Sequence, residues 1–239
     1  MKPFLILILS LSFAITATAQ DSLGFTNKAE AKNKIVNGLK EGKWVEEFDG
    51  QDFGRSSYRL TIYRAGRAIG IQREYAHSPS KTAIPEYQLL SETPYTDGRK
   101  NGIVKDYDWD GKISRETPYS NDIINGIFKE YYWSGKIRSE TPYVNGTIEG
   151  VAKTFFENGV IESETPYTNG VKNGIAKEYY SGKEIYKETS YVNGVEDGIA
   201  KEYYENGKVW HEIPYVNGTL SGVYKEYDET GNLKSEVHY

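Results

Sequence analysis

From Leu90 to Tyr239 apolar and polar positions return at an interval of 24 residues. Aliphatic side chains recur at Ile103, Ile127, Val151, Ile175, Ile199 and Val223, and again at Ile113, Ile137, Ile161, Ile185, Val209 and Leu233. Between them run a Lys column from Lys105 to Lys225, an aromatic column (Tyr107, Tyr131, Phe155, Tyr179, Tyr203, Tyr227), a Glu column from Glu92 to Glu236, a Gly column from Gly102 to Gly222 and a Tyr column from Tyr95 to Tyr239. Such periodicity marks a tandem array in which each unit buries its faces against its neighbours. Two turn signals divide each unit into two extended legs. One is Tyr-x-Asn-Gly, as at Tyr143 to Gly146 and Tyr215 to Gly218; the other is Glu-Asn-Gly or a variant, as at Glu157 to Gly159 and Glu205 to Gly207. Asn-Gly between β-formers favours a two-residue hairpin turn, because both central residues need positive φ. Legs joined by such short turns are antiparallel neighbours. The pattern therefore predicts an all-β fold: an elongated antiparallel meander of tandem β-hairpins in an open single sheet.

Hairpin arithmetic also predicts register. With Asn145-Gly146 as a two-residue turn, Val144 faces Thr147, Tyr143 faces Ile148 and Glu140 faces Val151, which sets Glu140 diagonally beside Lys153. Cross-strand opposite charges contribute roughly 0.2–1 kcal/mol each, so the columns specify register more than stability. Alternation puts Val151, Lys153 and Phe155 on one face and Tyr143 and Ile148 on the other.

The pattern loosens toward the N-terminus. Residues 101–239 form the regular repeats. Residues 37–100 read as irregular units, with an inserted loop over 76–90 that contains Pro79 and Pro85, and residues 20–36 read as a linker or short helix. Residues 1–19 read as a signal peptide: Lys2, the apolar run Phe4 to Ile15, and Ala17-Thr18-Ala19, with cleavage expected near Ala19. The mature protein is expected to be exported, whether periplasmic, envelope-associated or secreted.

Composition narrows the chemistry. With 21 Tyr, 24 Gly, one Met and no Cys, the chain is suited to strands and tight turns and has no disulfide or thiolate nucleophile. The net charge of −5 removes the strong electrostatic drive of a basic nucleic-acid binder, and the balanced Lys and Glu columns argue against strong membrane binding. No metal spacing surrounds His77, His211 or His238, no phosphate loop or nucleophile motif is present, and a ladder of equivalent Glu residues has no privileged catalytic pair. No catalytic, cofactor or metal residues are expected.

The unit Gly-Ile-x-Lys-Glu-Tyr-Tyr-x-x-Gly-Lys-Ile-x-x-Glu-x-x-Tyr-x-Asn-Gly, clearest at Gly126 to Gly146 and Gly198 to Gly218, resembles the MORN repeat. It looks most like the bacterial variant found in YwqK-family antitoxin-labelled proteins. The resemblance spans about Gly38 to Tyr239. It implies an elongated sheet used for protein or lipid contact, and the antitoxin label implies neutralising a partner protein. No catalytic residue comes with it.

Function in a repeat is sought where units differ. The variable large aromatics are Trp109, Trp133, Tyr186 and Trp210, with the partial stripe Tyr132, Tyr180 and Tyr204. Rigid aromatics commonly anchor protein interfaces and sugar platforms. The leading expectation is a non-enzymatic exported scaffold that binds a protein. Carbohydrate or cell-wall binding through the aromatics is the alternative, and an antitoxin-like role is a third. Glu226 to Leu233 also resembles a YD repeat of polymorphic toxins, which ranks last.

Overall fold

The computed structural model describes residues 24–48, 56–77 and 86–239, so the leader expected at 1–19 lies outside the described residues. The described residues form 23 strands in one open sheet, every pairing antiparallel, with no α-helix. One unit illustrates the rest. Gly126–Tyr131 pairs with Ile137–Val144 across the longer turn, and Val144 faces Thr147 across Asn145-Gly146. Asn145 has φ +50° and Gly146 φ +84°, as the two-residue turn requires.

The register departs from simple hairpin arithmetic. Tyr143 faces Ile148 as expected, but Glu140 faces Lys153 directly and not Val151. Pro142 lacks an N–H to donate and Gly150 sits at φ +107°, so the ladder breaks between them. Only the Glu149 N–H to Pro142 carbonyl bond, 3.1 Å, bridges the gap before pairing resumes.

A second irregularity lies at the longer turn. The pairing shifts between Glu130 and Tyr131, so Arg138 is an extra residue on its strand. The same shift follows Asp106, Thr154, Glu178, Glu202 and Glu226. A bulge of this kind re-aims a side chain. Arg138 and Ser139 both reach the Glu130 carboxylate, so two consecutive residues serve one face.

The N-terminal end is closed. Phe25, Leu60 and Ile62 are buried together, with Ala31, Val45, Tyr58, Ile69 and Tyr75 packed around them. The expectation of a linker over 20–36 gives way, in its described part, to a packed strap. Asn27 caps a single 3₁₀ turn, Lys28–Glu30; Asn33 exchanges two hydrogen bonds with the Val45 backbone; and Lys34–Val36 pairs with Leu39–Phe48. Lys28 pairs with Glu47 and Lys43 with Glu30. The physical reason is that Leu60 and Ile62 on a single-layer sheet would face water without a cover.

The inserted loop is also narrower than 76–90. Ala76 and His77 belong to strand Arg67–His77 and face Gln88 and Tyr87 of Tyr87–Thr96. Tyr58 stacks on Tyr75 at 4.9 Å and meets Tyr87 edge-on at 5.0 Å, which extends the hairpin past the boundary that the repeat suggested. Residues 78–85, with Pro79 and Pro85, lie outside the described residues.

Candidate functional site

On one face, the repeated columns form a continuous polar ladder. Lys and the Glu of the same hairpin pair at Lys129–Glu140 (3.1 Å), Lys153–Glu164 (2.9 Å), Lys177–Glu188 (3.5 Å) and Lys201–Glu212 (3.8 Å). The other carboxylate oxygen accepts from the tyrosine of the next unit: Tyr107 to Glu92, Tyr131 to Glu116, Tyr179 to Glu164, Tyr203 to Glu188 and Tyr227 to Glu212. These carboxylates act as acceptors that tie each unit to the next. Three or more His, Asp or Glu side chains grouped to hold a metal ion are absent among the described residues.

The ladder has one gap that tests it. Phe155 occupies the aromatic column beside Glu140 and has no hydroxyl to offer. Phe155→Tyr is expected to add the missing bond, stabilising the protein by about 1 kcal/mol and raising Tm by about 2–4 °C. Differential scanning calorimetry checks this, and the gain should vanish when Glu140→Gln is made in the same chain.

The ladder also sets an alkaline limit. Partial burial, together with the bond to a glutamate, pushes the phenols of Tyr131, Tyr179 and Tyr203 up from 10 to about 12, and Tyr107 further still. A phenol whose folded pKa is raised contributes stability that is complete below pH 10, where the unfolded chain also keeps its proton. That stability is lost as pH rises through about 10 to 12. Urea unfolding midpoints should therefore fall steadily from pH 9.5 to 12, in step with tyrosinate absorbance.

The aromatics singled out from the sequence separate into two groups. Tyr132, Tyr180 and Tyr204 donate their hydroxyls to backbone carbonyls of the next unit, at Phe155 (2.6 Å), Tyr203 (2.8 Å) and Tyr227 (2.9 Å), so they act as staples between units. Tyr186 lies edge-on to Tyr180 at 5.2 Å, and Trp210 packs 5.5 Å from Tyr204 and stacks on His211 at 4.1 Å. The bulge places Tyr186 and Trp210 on the face opposite the ladder. Trp109 and Trp133 lie in the longer turns, and Trp133 is 67% exposed. Lys112, Lys136 and Lys208 each donate to a carbonyl of the next turn, at Trp133, Glu157 and Thr230, tying this edge into a row.

A feature the sequence reading passed over is on the ladder face. Ile103, Ile127, Val151, Ile175 and Ile199 are 43–55% exposed and stand in a row along the sheet. Pro118, Pro142, Pro166 and Pro214 face four of them across the hairpins. Their periodicity is that of a buried strand face. What could have identified them as exposed is the absence of any second apolar layer in the sequence to cover them.

The recurring hairpin with Gly at its entry, the Lys-Glu-Tyr leg and the Asn-Gly exit is matched by the family model described as MORN repeat variant, at residues 124–145, 148–169, 196–217 and 220–239. These are MORN repeats. The unit between the second and third matches keeps its strands, Gly174–Tyr179 and Ile185–Val192, although Lys183 (φ +87°) takes a turn position held by Gly in the other regular units and Ser190 stands in the Pro column. Comparison with curated proteins finds no match.

Proposed function

We propose that this MORN-repeat chain is an exported, non-catalytic scaffold that binds an elongated protein partner along the ladder face. The observation that carries the reading is the exposed row of Ile103, Ile127, Val151, Ile175 and Ile199. Contiguous exposed apolar side chains rimmed by polar ones mark interaction surfaces, and here the rim is the Lys-Glu ladder. Equivalent residues in successive units lie about 9–10 Å apart, two strand spacings, which suits a partner that is itself extended or repetitive. Trp109 and Trp133 add aromatic anchors at the adjoining edge.

The reading of residues 1–19 as a signal peptide supports export, and the engagement of the Glu column by Lys and Tyr supports a non-enzymatic role. The resemblance to YwqK-family antitoxin-labelled proteins supports a partner that is neutralised by being bound. Net charge and the balanced columns weigh against nucleic acid and strong membrane binding, and no cofactor is part of the proposal.

The test is affinity capture from the exported fraction with the wild-type chain, an Ile127→Asp/Ile175→Asp variant and a Trp109→Ala/Trp133→Ala variant. All of these side chains are exposed, so the variants should melt as the wild type does. Loss of a specific partner in the Ile variant is expected, with weaker capture in the Trp variant. Undiminished capture by the Ile variant overturns the reading.

A further inference from the structure

The face opposite the ladder carries its own repeated rows, and at one place they lose bulk. Across the array, the residue just before the columnar Lys, which points to this face, is Val104, Phe128, Ala152, Ala176, Ala200 and Tyr224. The next position on this face is Asp106, Glu130, Thr154, Glu178, Glu202 and Glu226, and the facing position is Arg115, Ser139, Ser163, Lys187, His211 and Ser235. Only around the hairpin Gly150–Phe155 and Ile161–Thr168 do Ala152, Thr154, Ser163 and Ala176 coincide. On one side Phe128 and the Glu130–Arg138 pair fill the same positions; on the other, Lys187, Glu202 and His211 do so as a bonded cluster.

The result is a shallow groove of about 380 Å³ with Thr154, Ser163, Thr165 and Ala176 among its lining residues, together with Glu178 and Tyr186. Thr154 and Ser163 share a hydrogen bond of 2.8 Å across the floor. Tyr186, braced by Tyr180, stands at the turn side, and Tyr191, covered by Lys172 at 4.9 Å, stands at the Asn-Gly side. The volume lies within the usual range for small-ligand sites.

We propose that this groove is a binding site for a short neutral oligosaccharide, distinct from the protein-binding face and independent of it. The floor offers hydroxyls that both donate and accept, as sugar hydroxyls do, and carboxylate and ammonium groups stand at its rim. Aromatic rings at both ends present flat apolar surfaces with polar tips. Glu162 and Glu178 oppose an anionic chain, while Lys172 offsets part of their charge. A peptide is disfavoured: the strands here are paired on both sides, so no edge is open to an added strand.

The test titrates isotopically labelled full chain with maltotriose, cellotriose and triacetylchitotriose, reading amide shifts and calorimetric affinity. The decisive variant is Ala176→Phe, which places in the groove the side chain that Phe128 already carries in the same column, facing the same Thr. One of the oligomers should shift the amides of Thr154, Ser163, Thr165 and Ala176. Ala176→Phe should weaken that binding at least tenfold at unchanged melting temperature, while Ile127→Asp/Ile175→Asp leaves it intact. Absence of shifts with all three sugars, or binding unchanged in Ala176→Phe, overturns the site.

Discussion

Leu60→Ala is expected to destabilise the protein by about 2–5 kcal/mol, the largest effect of any single truncation in this sheet. Leu60 is fully buried where Phe25 and the 24–33 strap cover one side of Ser57–Arg64. Outside this cluster the buried apolar side chains among the described residues, Ala76, Val104 and Ala200, are smaller, and most of the rest are part-exposed, so shortening one of them removes less area from contact. The neighbourhood cannot readily collapse into the cavity. Leu60 and Ile62 stand either side of a register shift, and Thr61 between them is held from the other face by the Gln72 amide at 2.8 Å. Because a repeat array passes stability between neighbours, the loss should be local. Hydrogen exchange should accelerate in Leu39–Phe48, Ser57–Arg64 and Arg67–His77 and stay near wild type beyond Gly150. Uniform acceleration along the whole chain would show instead that the array unfolds as one block and that the strap does not cap it separately.

Gly102→Ala is expected to cost more than the same change at Gly198. Both glycines break the ladder beside the next turn, at φ +122° and +106°, a conformation that costs an L-residue about 1–3 kcal/mol. At Gly102 an added Cβ would also meet the Pro94 Cγ at 2.9 Å, whereas at Gly198 the nearest atom is the Ser190 Cβ at 3.4 Å. The difference between the two variants in urea unfolding isolates the clash from the backbone strain. Replacing Pro94 by Ala in the Gly102→Ala chain should recover that difference and no more. Equal costs at the two sites would mean that the proline ring moves aside freely, and that the Gly column is held by φ alone.

These two cases show why different parts of the chain were legible to different degrees. The regular array could be read because each turn announces itself: Asn145-Gly146 and Asn217-Gly218 supply the positive φ that only a few residues accept, and identical columns must make identical contacts. The pairing of Glu140 with Lys153 was misplaced because hairpin counting assumes an unbroken ladder, and the Pro142-to-Gly150 break is a consequence of two residues distant in sequence meeting across strands. Among the aromatics, Tyr132, Tyr180 and Tyr204 looked like candidates for binding, yet their hydroxyls close bonds to the next unit's carbonyls. Nothing in the spacing reveals which way a tyrosine at the start of the longer turn points. The groove beside Ala176 could have been found by asking where consecutive columns shrink together, but only once the face shared by Ala152, Thr154, Ser163 and Thr165 was established.

Period, turn chemistry and charge columns, all local in origin, were enough to require an antiparallel hairpin array, since a two-residue turn and an alternating leg leave the chain no other neighbour to bond. The covering of Leu60 by Phe25, the exposure of the Ile103 to Ile199 row and the pairing of Tyr186 and Trp210 with their neighbours depend on bulges and on contacts between segments far apart in the chain. Those are set by how successive ladders slip and twist against one another, a property of the assembled sheet that no single repeat contains.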